Sequence, residues 1–184
     1  MNILISNWKA SLTFFLLLLL VLSLGVWQID RGYNKKELEN TFLERQSQPV
    51  KEIKYNAFLE SDLYRNVVLE GKYLEKIFFL DNRIHNGKPG LKVFSPFETT
   101  NNNLVLVSRG WIELEDRSKL PTINTTKNVL KVQGVLRPES QDFVLENEEM
   151  NNKNNPILLQ TVNLSELSNF LGKPLSPYIL ELSE

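Results

Sequence analysis

The feature that most constrains this chain is a run of twenty uncharged residues, Ala10–Ile29, with charged residues on both sides. At about 1.5 Å of rise per residue, a helix of that length crosses roughly 30 Å, the thickness of a bilayer's hydrocarbon core. Trp27 lies near the end of the run, where an indole prefers the headgroup region. We therefore predict a transmembrane helix over residues 10–29, with Trp27, Gln28 and Arg31 at the membrane interface.

Two features of this segment leave alternatives open. Ser23 and Gly25 suit the small-residue cleavage site of a secretory signal peptide, which would give a secreted β-barrel binding or hydrolase domain. Basic residues are also more numerous after the run, at Arg31, Lys35 and Lys36, than before it. Taken alone, the positive-inside rule would place the rest of the chain in the cytoplasm.

The rest of the chain reads as one short helix followed by strands. Residues 30–48 carry helical apolar spacing that Pro49 ends, so a juxtamembrane helix is expected there. Residues 49–184 predict a β-rich extramembrane domain, because short apolar runs alternate with turn residues. The predicted strands are Arg65–Tyr73, Ile77–Ile84, Leu91–Pro96, Leu104–Leu114, Val129–Leu136, Ile157–Val162 and Tyr178–Leu182.

One later helix has clear start and stop signals. Asn163 suits an N-cap, Glu166 follows three residues later, and Gly172 with Pro174 ends the segment. Together these patterns predict a mainly β protein, in which an N-terminal transmembrane helix precedes a small closed or partly closed β-barrel with one or two helices.

Composition and charge exclude several classes of function. The chain has no cysteine, which removes disulfides, thiolate metal sites and cysteine nucleophiles. Lys and Arg total 21 against 22 Asp and Glu, so nucleic-acid binding is not expected. The only histidine, His85, is expected to be a surface turn residue, and the acidic clusters at 113–116 and 146–149 read as solvated charge. No catalytic or metal site is predicted, and the chain is not expected to be an enzyme.

Arginines beside apolar strands are the stronger candidates for a site. Arg83 closes one predicted strand, and Arg109, Gly110 and Trp111 end another. Val107, Arg109 and Trp111 would share one strand face unless Gly110 introduces a bulge. Arg109 either pairs with an acidic side chain inside the domain or recognises a partner protein or a haem propionate, because its fork matches carboxylates. Arg83, Arg109, Gly110 and Trp111 are therefore the candidate partner-binding residues.

The order of these motifs resembles the Surfeit-locus family of cytochrome c oxidase assembly factors. In that family a span ends in Trp-Gln with a following Arg and Lys, and a later apolar strand runs into Asn-Arg-Gly-Trp. The matching residues include Trp27, Gln28, Arg31, Lys35, Tyr64, Arg65, Gly71, Tyr73, Leu80, Asn82, Arg83, Gly87, Gly90, Pro96, Phe97, Arg109, Gly110, Trp111, Gly134, Leu136, Arg137 and Pro138. Ser108 stands where the family usually has Asn, and Gln160 stands where Trp is common.

The resemblance implies a non-catalytic role in maturing haem-containing subunit I of cytochrome c oxidase. It places the anchor in a bacterial inner membrane and the barrel in the periplasm. Such proteins ordinarily end in a second transmembrane helix, and this sequence stops at Glu184, so that helix is either cut off or lacking. Some bacterial relatives handle haem a through histidine. Because His85 is the only histidine here, no cofactor is firmly implied, and a haem-binding carrier is the other alternative.

Overall fold

A computed structural model describes residues 7–53, 58–114, 120–139 and 155–183. Contacts divide the chain into two units, Met1–Glu44 and Arg45–Glu184. Helix α1 spans Trp8–Ser47, and none of its residues is buried. By length and composition α1 could cross a membrane.

In its described residues, the second unit has a sheet of eight strands and one short α-helix. A 3-10 turn at Glu60–Asp62 precedes most of the sheet. The strands are β1 (Lys51–Glu52), β2 (Asn66–Tyr73), β3 (Phe78–His85), β4 (Lys88–Thr99), β5 (Leu104–Glu113), β6 (Leu130–Pro138), β7 (Ile157–Leu159) and β8 (Leu175–Leu182), and helix α2 is Leu164–Leu171.

Five of these strands close into a barrel. Their order around it is β2, β6, β8, β5 and β4, and a second pairing between β2 and β4 closes the ring. β1 adds to β2 outside the ring, while β3 and β7 extend the sheet from β4. The prediction of a mainly β protein with an apolar N-terminal helix and a small barrel is confirmed.

The closure depends on β4 changing partners along its length. One edge of β4 pairs with β3 up to Phe94 and with β2 from Phe97 onward. Pro96, which has no N–H to donate, lies between these two pairings, where β4 needs no donor on that edge. The carbonyl of Pro96 accepts a 2.9 Å hydrogen bond from the Leu74 N–H in the connection between β2 and β3.

The alternation of each barrel strand separates two main cores. One cluster fills the barrel interior and draws residues from all five barrel strands, including Leu69, Phe97, Val107, Leu136 and Leu180. The second lies on the opposite face, where β3, β7 and α2 contribute to it; its members are Phe78, Leu80, Phe94, Leu106, Ile157, Leu159, Val162, Leu164, Leu167 and Ile179. Because side chains alternate along a strand, Leu106 joins the second cluster while its neighbours join the first.

The local signals in the sequence correspond to observed elements. The Asn163 side chain accepts hydrogen bonds from the N–H groups of Ser165 and Glu166, which caps α2. Gly172 ends the helix with a left-handed φ of 66°. Asn86 and Gly87 form a two-residue hairpin turn, both with positive φ, so that β4 begins at Lys88.

Candidate functional site

The candidate residues on β5 lie at a β-bulge. Ser108 pairs with Phe94 on β4 and Gly110 pairs with Val93, which leaves Arg109 as the extra residue. Gly110 has a φ of 118°, a conformation that residues with a Cβ rarely adopt. A Cβ at Gly110 would meet nothing within 4 Å, so the bulge needs glycine for its backbone angle and not for a close approach.

Arg109 lies over the face of an aromatic ring. Its guanidinium carbon is 4.8 Å from the centroid of the Tyr73 ring, which in turn meets the buried Phe97 edge-on at 5.0 Å. Arg109 also donates hydrogen bonds to the Asn124 carbonyl at 3.3 Å and to the Thr125 hydroxyl at 3.4 Å. A cation over an aromatic face is stabilised by the ring's quadrupole. Among the described residues, the partners of Arg109 are therefore an aromatic ring, a carbonyl and a hydroxyl.

The electrostatics of Tyr73 reflect both neighbours. Burial raises the pKa of the Tyr73 phenol, because the ionised form is poorly solvated there, and the positive charge of Arg109 offsets part of that rise. Tyr73 therefore stays neutral at physiological pH. It presents Arg109 with an uncharged ring.

Trp111 lies against β3 and β4. Its indole Nε1–H donates a 2.9 Å hydrogen bond to the backbone carbonyl of Arg83. The ring packs over Gly90, where a Cβ would come within 3.0 Å of two indole carbons. His85 lies beside it, with ring centroids 5.3 Å apart.

These contacts divide the predicted candidates into two groups. Arg83 and Trp111 are brought together by a hydrogen bond, whereas Arg109 contacts Tyr73 and not Trp111. The shared face expected for Arg109 and Trp111 was conditional on Gly110 making no bulge, and the bulge is present. A one-residue slip reverses the faces of the residues that follow it.

A pocket beside Arg83 contains residues that the sequence did not single out. Its lining includes the cations Arg83, Lys92 and Arg137, the carboxylate of Glu181 and the buried Ser108. They come from five strands, so no local motif joins them. The sequence signal that could have identified such a residue is a charge inside an apolar strand, as at Lys92 between Leu91 and Val93.

A haem site and a metal site would each depend on histidine or acidic residues. His85 is exposed at the end of β3, so it does not fit a haem ligand enclosed in a pocket. Among the described residues, no three His, Cys, Asp or Glu side chains form a metal-binding group. Glu113 is paired with Lys88 at 2.8 Å. Residues 115–116 and the acidic cluster at 146–149 lie outside the described residues.

The predicted membrane-interface residues lie on one exposed stretch of α1. The guanidinium carbon of Arg31 is 5.5 Å from the centroid of the Trp27 ring, one turn earlier in the helix. Gln28 is exposed beside them. An indole with a cation at the end of an apolar segment is typical of a membrane–water boundary.

The fold is that of a small β-barrel protein whose apolar N-terminal helix indicates membrane anchoring. The model of the SURF1 family matches residues 15–184, so the chain belongs to that family, which is known for cytochrome oxidase assembly factors. A SURF1-like protein of Rickettsia bellii is 26% identical over 178 residues, covering 94% of this chain and 70% of that relative. One of Dictyostelium discoideum is 29% identical over 116 residues, covering 57% of this chain and 43% of that relative.

Proposed function

We propose that the chain is a membrane-anchored, non-catalytic assembly factor for cytochrome c oxidase that assists maturation of haem-containing subunit I. The single observation that carries this proposal is the SURF1 family match over residues 15–184. The anchor lies in a bacterial inner membrane, and the barrel faces the periplasm. In this arrangement residues 10–29 cross the bilayer, residues 30–48 continue the helix, and residues 49–184 form the extramembrane domain.

The proposed partner-binding residues are Arg83, Arg109, Gly110 and Trp111. Arg109 supports this role because its described hydrogen bonds, at 3.3 and 3.4 Å, are long. A carboxylate of subunit I or of an assembly intermediate offers a charge-assisted, bidentate bond that is stronger than either. The Tyr73 ring below holds the guanidinium plane in place for such a partner.

Deletion of the gene tests the oxidase role. We expect lower haem-copper oxidase content and activity, with the other respiratory enzymes retained, in a strain without a paralogue. Normal oxidase content and a normal haem a spectrum in that deletion would contradict the proposal. Co-purification of the detergent-solubilised chain with oxidase subunit I tests the partner directly.

Substitution of Arg109 separates recognition from structure. Arg109→Lys keeps the charge but loses the fork, so we expect a folded protein that no longer restores oxidase assembly in the deletion strain. Arg45→Lys is the matched control, because Arg45 also donates to two backbone carbonyls, of Glu60 and Leu63, both at 3.1 Å. Thermal unfolding is measured beside oxidase activity for both variants and for Gly110→Ala. The recognition role is wrong if Arg109→Lys melts early and activity falls only in step with the folded fraction.

A reporter fusion tests the anchor and its orientation. A periplasm-dependent reporter fused after Gln48 is expected to be active, and the mature protein is expected to keep its N-terminal segment. A mature protein beginning at Val26 would instead show signal-peptide cleavage and a secreted barrel.

A further inference from the structure

The pocket beside Arg83 combines positive charge with a buried hydroxyl. Its described lining carries three cations, Arg83, Lys92 and Arg137, against the one carboxylate of Glu181. Ser108 is 1% exposed, and its hydroxyl has no hydrogen-bond partner among the described residues. A buried hydroxyl without a partner costs free energy, so its presence at a pocket wall suggests that a ligand supplies the missing bond.

The charges in the wall are held in fixed positions. Lys92 Nζ lies 2.6 Å from one oxygen of Glu181, and Arg137 Nε forms an ion pair with the other oxygen. Burial alone would raise the pKa of Glu181, but Lys92 and Arg137 outweigh burial, so the pKa is lowered. Glu181 therefore remains ionised at neutral pH, and its single negative charge is shared between Lys92 and Arg137.

The rest of the wall is apolar, and the pocket is small. Leu80, Phe94, Val162 and Ile179 contribute side chains from the core cluster outside the barrel. The volume is about 230 Å³, below the range of about 300–1,000 Å³ that is usual for drug-sized ligands. A ligand that fits this pocket is small, has an apolar body and carries little negative charge.

We propose that this pocket binds a small monocarboxylate with a short apolar chain. The carboxylate accepts from the Ser108 hydroxyl and from the cations, and the chain packs on the apolar wall. A dianion such as phosphate is disfavoured, because Glu181 already offsets part of the positive charge and the apolar wall gives phosphate no partner. The proposal does not depend on the oxidase role, and its test needs no oxidase.

Equilibrium dialysis of the full chain in a non-ionic detergent, with labelled hexanoate as the probe, tests the proposal. Detergent alone corrects for partition into micelles. We expect one saturable hexanoate site per chain. Neither 1-hexanol nor inorganic phosphate should displace the bound hexanoate. No saturable binding, or equal competition by phosphate, would overturn the proposal.

Two variants and one control locate the site. Ser108→Ala is expected to weaken hexanoate binding by about two- to tenfold, the equivalent of one hydrogen bond. Lys92→Met removes a charge and is expected to weaken it by about tenfold or more. Lys88→Met is the matched control on the same strand, because Lys88 pairs with Glu113 outside the pocket, and it should bind as wild type does. Unchanged binding in both pocket variants would place hexanoate elsewhere and refute the assignment.

Thermal unfolding tests whether a variant binds less hexanoate only because less of it is folded. Without ligand, Ser108→Ala removes a buried unpaired hydroxyl, so it should melt no earlier than wild type. A variant that is at least as stable yet binds less hexanoate separates ligand binding from structure. If Ser108→Ala melts well below wild type without ligand, the hydroxyl serves the fold and the proposal is wrong.

Discussion

Replacing Gly90 with alanine perturbs the contact that holds Trp111 in place. A Cβ at Gly90 would lie less than 3.0 Å from two carbons of the Trp111 indole and from the Ile112 carbonyl oxygen. The ladder fixes that carbonyl, because Gly90 is paired with Glu113 on one side and with Arg83 on the other. Both the carbonyl and the ring must therefore shift, although the ring is also held by its own hydrogen bond to the Arg83 carbonyl.

The expected loss of stability has two parts. Overpacking in a fitted site costs about 1–3 kcal/mol. Losing the hydrogen bond between Trp111 and Arg83 adds about 0.5–1.5 kcal/mol. A total of about 1.5–4.5 kcal/mol lowers the melting midpoint by about 3–18 °C, at about 2–4 °C per kcal/mol for a chain of this length.

A double-mutant cycle identifies the ring as the obstacle. Unfolding in urea is measured for Gly90→Ala, for Trp111→Leu and for the pair. Gly90→Ala should cost less in the Trp111→Leu background, because the ring and its donor are gone. Gly32→Ala is the control, since a Cβ there meets nothing within 4 Å. If the stability losses of the two single variants sum to the loss of the double variant within about 0.5 kcal/mol, the residues do not interact and the reasoning is refuted.

Two further variants test a charge and a helix cap. The pKa of Glu181 is lowered on folding by Lys92 and Arg137 in spite of burial, so its stabilising contribution is present above the usual pKa of 4.5 and is lost as pH falls through the lower folded value. Glu181→Gln should therefore make the free energy of unfolding fall less steeply as the pH is lowered below 4.5. An unchanged dependence on pH would contradict this. Asn163→Ala should cost about 0.5–2 kcal/mol, because it removes the acceptor for two N–H groups at the start of α2; a loss below about 0.3 kcal/mol on urea unfolding would contradict it.

Features encoded within a few residues were predictable from the sequence. Asn163 and Gly172 mark the ends of α2 because capping depends only on neighbouring backbone groups. The Asn86-Gly87 turn lies between two predicted strands and has the local backbone preference of a hairpin turn, although the second strand begins at Lys88 and not at the predicted Leu91. The apolar segment of α1 is visible in the sequence because its length and its lack of charged residues can be read from consecutive residues.

Features that depend on distant pairing were not predictable in the same way. β1 has two residues, too few to show a pattern. β8 begins at Leu175, three residues before its predicted start at Tyr178, and includes Pro177, a residue type that strands disfavour. The pocket residues Lys92 and Glu181 are far apart in the chain. Only the register of β4, β5 and β8 brings them together.

The bulge at Arg109 explains how one short motif serves two faces of the sheet. Val107 lies in the barrel interior, and Arg109 follows it on that side to reach Tyr73. Without a bulge, alternation would place Trp111 on the same face. Because Arg109 is the extra residue, Trp111 pairs with Lys92 instead and faces the side of the sheet that holds the pocket. The positive φ of Gly110 therefore separates the proposed recognition arginine from the pocket.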